Sequence, residues 1–279
     1  MGAIVHRISA WDGLPLVVRE WRDGDARTPL LCLPGIVRTS GDFAALAREL
    51  GAGRRVVAPD YAGRGESGRS RDICRYAPES CLRDVLDICA ALHVHAAIAI
   101  GTSFGGLLSM GLAAARPSLF RGVVLNDIGP ELGSSGTEFV RRFIADNAAF
   151  ANLDAAVVYL RGVLPPLSFD SDEAWRAMAA LTYTAGTDGR LRPYWDTRIA
   201  RLMNGRTPDL WPLFGGLAQI PLLLVHGEAS DILLPATVGR MQALRPDMVL
   251  ARLPGIGHAP TLTEPEVLAA LRVFVDGIG

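Results

Sequence analysis

Lysine is absent from the sequence, and all 28 basic residues are arginine. Enzymes that form a Schiff base with their substrate need a lysine amine, and a Walker-type loop places a lysine against the phosphates of its nucleotide. The absence of lysine therefore excludes both classes. We attribute the exclusive use of arginine to genomic composition rather than to mechanism.

Long apolar runs and an excess of one charge are also missing. No apolar stretch approaches the roughly 18 residues of a membrane-spanning helix, and 28 basic residues nearly balance 29 acidic ones. Balanced charge argues against a nucleic acid or an anionic membrane as partner. Because the first residues lack the apolar core of a secretory signal, we expect a cytoplasmic protein, a monomer or homodimer, that acts on a small molecule.

Cysteine is scarce, with four residues in the chain. None of them forms the C-x₂-C pair that is typical of a metal site. We interpret Cys32, Cys74, Cys81 and Cys89 as free thiols of a reducing compartment. We predict no metal ion and no cofactor.

The most informative stretch of the chain runs from residue 96 to residue 116. A short apolar run at 96–100 predicts a strand, the sequence GTSFG follows at 101–105, and residues 106–116 have the composition of a helix. A serine between two glycines on a strand-to-helix turn is typical of a nucleophile held above the edge of a sheet. We therefore predict that Ser103 is a catalytic nucleophile, against the alternative of a small turn residue.

Apolar stretches of strand length alternate with amphipathic stretches of helix length along most of the chain. This alternation predicts an α/β fold with a mostly parallel sheet and helices on both faces. The eight predicted strands are residues 4–9, 14–21, 30–33, 55–59, 96–100, 122–126, 222–226 and 248–253. The predicted helices are residues 43–50, 78–93, 106–116, 235–244 and 264–274.

The alternation is interrupted between residues 129 and 212. This segment contains amphipathic stretches with helical spacing at 137–150, 153–163 and 172–183. We interpret residues 129–212 as a helical lid (cap). The core domain is then formed by residues 1–128 together with residues 213–279.

Candidate partners of Ser103 follow other predicted strands, whose carboxyl ends meet at one edge of a parallel sheet. A serine needs a base, and the base needs an acid that orients it. His258 lies in a loop after the last strand and is the predicted base. Asp231, in the loop after the preceding strand, is the favoured acid; Asp127 is the alternative, and Glu228 is a weaker competitor.

The order of Ser103, Asp231 and His258 along the chain resembles that of the α/β-hydrolases with a lid, which include bacterial esterases, lactonases and C–C hydrolases. The motif D-x-x-G-x-G-x-S at 60–67 is similar to a structural loop of that family. The resemblance covers nearly the whole chain outside the lid.

The same resemblance implies an oxyanion hole made of two backbone N–H groups, those of Ile36 and Phe104. The family usually has His-Gly where this chain has Pro34-Gly35. Because the donor is a backbone amide, this departure need not remove the hole.

These residues predict a serine hydrolase that cleaves a small-to-medium carboxylic ester or lactone through an acyl-enzyme. A C–C bond hydrolase or enol-lactonase of aromatic degradation, an acyltransferase, and a non-catalytic ligand receptor remain alternatives. Epoxide hydrolases and haloalkane dehalogenases need a carboxylate where this chain has Ser103. The run GRGESG at 63–68 matches a dinucleotide-binding motif, but the polar residues after it do not open the helix which that motif requires.

The composition of the predicted lid bears on the substrate. Its aromatic residues imply a mostly apolar pocket, and they include Phe139, Phe143, Trp175, Tyr183 and Trp195. Its arginines would suit a substrate carboxylate, or they lie on solvated helix faces; they include Arg141, Arg142, Arg161, Arg198 and Arg201.

Overall fold

The computed structural model describes residues 2–205 and 208–278, so the predicted domain bounds that include Met1, Arg206, Thr207 and Gly279 extend beyond it. Its strands are β1 (Ile4–Ser9), β2 (Pro15–Arg22), β3 (Leu30–Leu33), β4 (Arg55–Asp60), β5 (Ala97–Thr102), β6 (Phe120–Asn126), β7 (Tyr183–Ala185), β8 (Leu191–Pro193), β9 (Leu222–Gly227) and β10 (Val249–Leu253). Its α-helices are α1 (Ala44–Leu50), α2 (Pro78–Ala91), α3 (Phe104–Ala115), α4 (Ser134–Ala145), α5 (Leu153–Val163), α6 (Asp172–Thr182), α7 (Trp211–Gly215), α8 (Pro235–Leu244) and α9 (Pro265–Ile278).

Eight of the strands form one sheet in the order β1-β2-β4-β3-β5-β6-β9-β10. β1 and β2 form an antiparallel hairpin, and β2 also pairs antiparallel with β4. The remaining neighbours are parallel. The predicted α/β fold with a mostly parallel eight-stranded sheet is therefore confirmed, and β5 lies near its middle.

Apolar side chains cover both faces of this sheet. One core cluster joins side chains of α2, α3 and α8 to the sheet, and a second cluster joins side chains of α1 and α9 to the opposite face. Strands packed on both faces read as continuous apolar runs. The four residues of β3 are all buried, which explains why the sequence shows no alternation there.

The segment predicted as a lid lies between β6 and β9, which are neighbours in the sheet. In the structure this segment contains α4, α5 and α6, the start of α7, and also the two-stranded hairpin of β7 and β8. The sequence analysis missed this hairpin because strands of three residues are too short to show a period of two.

The insertion is joined to the core by hydrogen bonds at the 60–67 loop. The Gly65 amide donates to the Tyr194 carbonyl at 2.8 Å, and the Asp196 amide donates to the Gly63 carbonyl at 2.8 Å. The Tyr76 hydroxyl donates to Asp196 at 3.0 Å. Across the described ranges, we find no helix with the length and apolar character to span a membrane.

Candidate active site

Ser103 lies on the turn between β5 and α3, and its backbone is strained. Its φ of 52° and ψ of −117° lie outside the regions that L residues favour. A Cβ on Gly101 would lie 2.5 Å from the Gly105 carbonyl oxygen, and a Cβ on Gly105 would overlap the Leu33 carbonyl oxygen. Glycine is therefore required on both sides of Ser103.

His258 lies within hydrogen-bond distance of Ser103. The distance from His258 Nε2 to Ser103 Oγ is 2.8 Å, although the two residues are 155 positions apart. The loop after β10 that carries His258 is held by the Asn126 side-chain amide, which donates to the Pro260 carbonyl at 2.9 Å. The imidazole is mostly buried, with 14% of the side chain exposed.

Asp127, and not Asp231, is the carboxylate that contacts His258. Asp127 Oδ2 lies 2.9 Å from His258 Nδ1, and Asp127 Oδ1 accepts the Gly227 amide at 3.0 Å. The Asp127 carboxylate is fully buried. The favoured prediction of Asp231 as the partner of His258 is therefore wrong, and the alternative carboxylate occupies that position.

Asp127 and Asp231 differ in how far each lies beyond the end of the strand that precedes it, and this explains which of them contacts His258. Asp127 follows the last residue of β6 directly with a positive φ of 54°, and its amide donates to the Val225 carbonyl of β9 at 2.8 Å. Asp231 lies four residues beyond β9 and is exposed. Among the described residues, the Asp231 carboxylate makes no hydrogen bond or ion pair, whereas its backbone carbonyl packs against Gly133 and Gly136. Glu228 lies near Arg252, at 3.7 Å, rather than near His258.

The loop after β3 lies beside Ser103. A Cβ built on Gly35 would be 4.0 Å from the Ser103 Cβ, so the Ile36 peptide is close to the hydroxyl. Within residues 2–205 and 208–278, the amides of Ile36 and Phe104 donate no hydrogen bond. Both are therefore available to an acceptor, although their role in an oxyanion hole stays a prediction.

The 60–67 loop has a structural role around Asp60. The buried Asp60 carboxylate accepts hydrogen bonds from the Ser40 amide, the Ser40 hydroxyl and the Glu66 amide, at 2.7, 2.7 and 2.9 Å. A Cβ on Gly65 would overlap this carboxylate. The next helical turn begins only at Ile73, so the loop does not open a helix as a dinucleotide motif would.

The contacts of the aromatic and arginine side chains singled out in the insertion lie largely within the insertion itself. Trp195 and Tyr183 are buried inside the insertion, where Phe143 stacks on Trp195 and Phe139 stacks on Phe143. Trp175 packs against Phe169. Four of the five arginines pair with acids of the insertion itself: Arg141 and Arg142 with Glu138, Arg161 with Asp172, and Arg198 with Asp196.

The comparisons with known proteins agree with this architecture. The model of the alpha/beta hydrolase family matches residues 30–271, and the chain belongs to that family. A 3-hydroxybutyrate-oligomer hydrolase of Cupriavidus necator is 33% identical over 273 residues, which cover 94% of this chain and 93% of the relative. A 2-(acetamidomethylene)succinate hydrolase of Mesorhizobium japonicum is 29% identical over 266 residues, covering 94% and 92%.

Similarity extends to solved structures. The crystal structure of an alpha/beta hydrolase from Novosphingobium aromaticivorans superposes with a TM-score of 0.92 and 38% sequence identity, and the match covers 98% of each chain.

Proposed function

We propose that this protein is a serine hydrolase that cleaves a small-to-medium carboxylic ester or lactone through an acyl-enzyme. The observation that carries the proposal is the continuous hydrogen-bonded chain from Ser103 through His258 to Asp127. A serine hydroxyl is a poor nucleophile unless a base accepts its proton, and an acid must orient that base. Both partners lie at hydrogen-bond distance.

Acylation begins when His258 Nε2 accepts the Ser103 proton while Oγ forms a bond to the acyl carbon. The tetrahedral intermediate collapses as the bond to the leaving oxygen breaks, and His258 returns the proton to that oxygen. Water then attacks the acyl carbon and loses a proton to His258, and the Ser103 oxygen leaves and takes that proton. Asp127 remains ionised and keeps the Nδ1 proton of His258 oriented.

The negative charge of the tetrahedral intermediate needs donors that are already in place. The Phe104 amide is at the first position of α3, where the helix dipole favours negative charge. The Ile36 amide lies on the loop beside Ser103. We assign these two amides to the oxyanion hole because neither donates to another atom of the described residues.

We also propose that the insertion at 129–212 acts as the lid of this site. Two contacts support this role. The Pro166 carbonyl accepts the amide of Gly257, the residue before His258, at 2.7 Å. The Thr182 hydroxyl accepts a hydrogen bond from Arg38, on the loop after β3, at 2.5 Å. The insertion therefore contacts loops on two sides of Ser103.

For the substrate, short esters of hydroxy acids are the first class to test. The relative from Cupriavidus necator is named as a hydrolase of 3-hydroxybutyrate oligomers, and it matches nearly the full length of this chain. Such oligomers are linear esters of small acyl units, which is the size class proposed here.

The test is hydrolysis of a panel of esters by the wild-type protein and by two serine variants. The panel holds p-nitrophenyl esters of increasing length, a 3-hydroxybutyrate dimer, an enol-lactone and a β-diketone. We expect Ser103→Ala to lower kcat by roughly 1,000-fold or more. Ser118→Ala, at an exposed serine outside the site, should leave kcat unchanged.

Labelling gives an independent readout of the nucleophile. Phenylmethylsulfonyl fluoride should modify Ser103, and peptide mass mapping identifies the site. Turnover of the β-diketone alone would favour C–C cleavage, and transfer to an added alcohol would favour an acyltransferase. Ligand binding without turnover of any substrate, and with Ser103 unlabelled, would contradict the hydrolase and favour a receptor.

A further inference from the structure

Arg64 is a buried guanidinium that has no counter-charge among the residues described by the structure. Only 1% of the residue is exposed. Its Nε donates to the Ile36 carbonyl at 2.8 Å, and its Nη1 donates to the Ala62 carbonyl at 2.7 Å. Its Nη2 is buried and has no hydrogen-bond partner among the described residues.

The other buried arginines are paired with acids. Arg54 lies 2.8 Å from Asp276, Arg75 lies 2.7 Å from Asp84, and Arg245 lies 2.7 Å from Asp247. Arg64 forms no ion pair within residues 2–205 and 208–278. Removing one charge from water without pairing it is strongly unfavourable, so its retention needs an explanation beyond packing.

The groups around Arg64 do not neutralise it. Its guanidinium carbon lies 5.8 to 5.9 Å from the ring centres of Tyr61, Tyr76 and Phe104. Aromatic faces offset only part of the lost hydration. Burial raises the pKa of the nearby Cys81 thiol and of the Tyr61 hydroxyl, so both groups stay neutral around pH 7.

Two of its contacts are to the residues assigned to the oxyanion hole. The bond to the Ile36 carbonyl holds the peptide that follows the Ile36 amide, and the guanidinium faces the ring of Phe104. Arg64 therefore restrains the conformation of the loop beside Ser103. It also places a positive charge against the Ile36 carbonyl and 5.8 Å from the ring centre of Phe104, beside the two residues assigned to the oxyanion hole.

We propose that Arg64 is a positioning residue of the oxyanion hole, which anchors the Ile36 peptide and supplies a positive charge beside it. The proposal rests on the serine-hydrolase function proposed above. A charge in a water-excluded site stabilises an anion that forms there more than a neutral ester. Arg64 should therefore act on the transition state and much less on substrate binding.

The test compares Arg64→Met and Arg64→Lys with a remote control that makes a cavity. Val275→Ala shortens a buried side chain near the end of α9. The end of this helix packs beside Gly122 at the start of β6, at the edge of the sheet opposite to the one that carries Ser103. Thermal unfolding of each variant identifies those that are folded at the assay temperature. The readouts are kcat, KM and the affinity for a boronic acid that forms an anionic adduct with the serine.

For Arg64→Met we expect kcat and boronic-acid affinity to fall together by about 100-fold, with KM changed less than about threefold. Arg64→Lys keeps the charge and loses the planar donor, so its kcat should fall by about tenfold. Val275→Ala should keep both kcat and boronic-acid affinity. If Arg64→Met is unfolded, a folded Arg64→Lys with wild-type kcat refutes the anchoring role.

The two proposals fail in different ways. A wild-type protein that hydrolyses no ester and is not labelled at Ser103 refutes the serine hydrolase. An active wild type together with a folded Arg64→Met of unchanged kcat and boronic-acid affinity refutes only the role of Arg64. A parallel change in the Val275→Ala control would also refute it, because the effect would then follow stability.

Discussion

Asp127 owes its contact with His258 to its own backbone and to the strand beside it. Its φ is positive, and its carboxylate lies between two partners: the Gly227 amide donates to one oxygen and His258 contacts the other. A carboxylate held on both oxygens keeps one orientation. The imidazole is therefore held in one orientation between Asp127 and Ser103.

Exchanging the carboxylate for an amide tests this arrangement at the scale of single residues. In Asp127→Asn, the amide nitrogen would face His258 Nδ1 and favour the wrong tautomer. We expect kcat for ester hydrolysis to fall by about 10,000-fold, with little change in the melting temperature. Steady-state kinetics with the best ester of the panel measures the effect.

Asp231→Asn is the matched control, since it removes the same charge from the aspartate that sequence analysis favoured. Because this side chain is exposed and makes no contact with His258, its kcat should equal that of the wild type. A large loss of kcat in Asp231→Asn together with an active Asp127→Asn would contradict the assignment of Asp127 as the partner of His258.

At the scale of elements, the turn between β5 and α3 depends on the absence of two side chains. The helix begins at Phe104, directly after the strained Ser103, two residues earlier than the sequence predicts. This early start is possible because Gly105 lies against the carbonyl oxygen of Leu33 in β3. The start of α3 therefore lies closer to β3 than a residue with a Cβ at position 105 would allow.

Gly105→Ala should therefore destabilise the protein through backbone overlap. We expect the free energy of unfolding to fall by about 3 kcal/mol or more, measured by urea denaturation. Gly239→Ala is the comparison, because Gly239 is an exposed residue of α8 with open space around its Cβ position. For Gly239→Ala we expect the free energy of unfolding to stay the same or to rise by up to about 1 kcal/mol. Equal effects at the two positions would show that the overlap at Gly105 is relieved by movement.

At the scale of the whole molecule, arginine joins parts of the chain that are distant in sequence. Arg75 bridges Asp12, in the turn of the β1–β2 hairpin, and Asp84, in α2. The hydrogen bond from Arg75 lowers the pKa of Asp12, whereas burial raises the pKa of Asp84. The planar guanidinium contacts both carboxylates at once, which a lysine amine does less well.

Arg75→Met should weaken the whole fold, because it leaves the buried Asp84 carboxylate without its partner. We expect the free energy of unfolding at neutral pH to fall by about 3–5 kcal/mol, again measured in urea. The loss should shrink as the pH is lowered, because burial raises the pKa of Asp84 and a protonated carboxyl no longer needs a partner charge. Arg141→Met, which breaks an exposed pair with Glu138, should leave the urea midpoint unchanged. A similar shift of the urea midpoint in Arg75→Met and in Arg141→Met would show that burial of the ion pair has no special effect on stability.

Much of this architecture could be predicted from the sequence, because the signals are local. Apolar runs of strand length and the glycines around Ser103 act through neighbouring residues. The alternation of strands and helices therefore predicted the sheet, and the sequence GTSFG at 101–105 predicted where Ser103 lies. His258 could be placed at the same edge because it follows a strand in a loop.

Local sequence determined the strands of the main sheet, the helices around it, the sharp turn at Ser103 and the edge of the sheet where the candidate catalytic residues lie. Only the tertiary structure decided which aspartate reaches His258, because that choice depends on strand order and on the positive φ of Asp127. It also decided that the Arg64 side chain donates to the Ile36 carbonyl, since the contact joins residues 28 positions apart. Local patterns carry no information about such distances, whereas the packed sheet brings these side chains together.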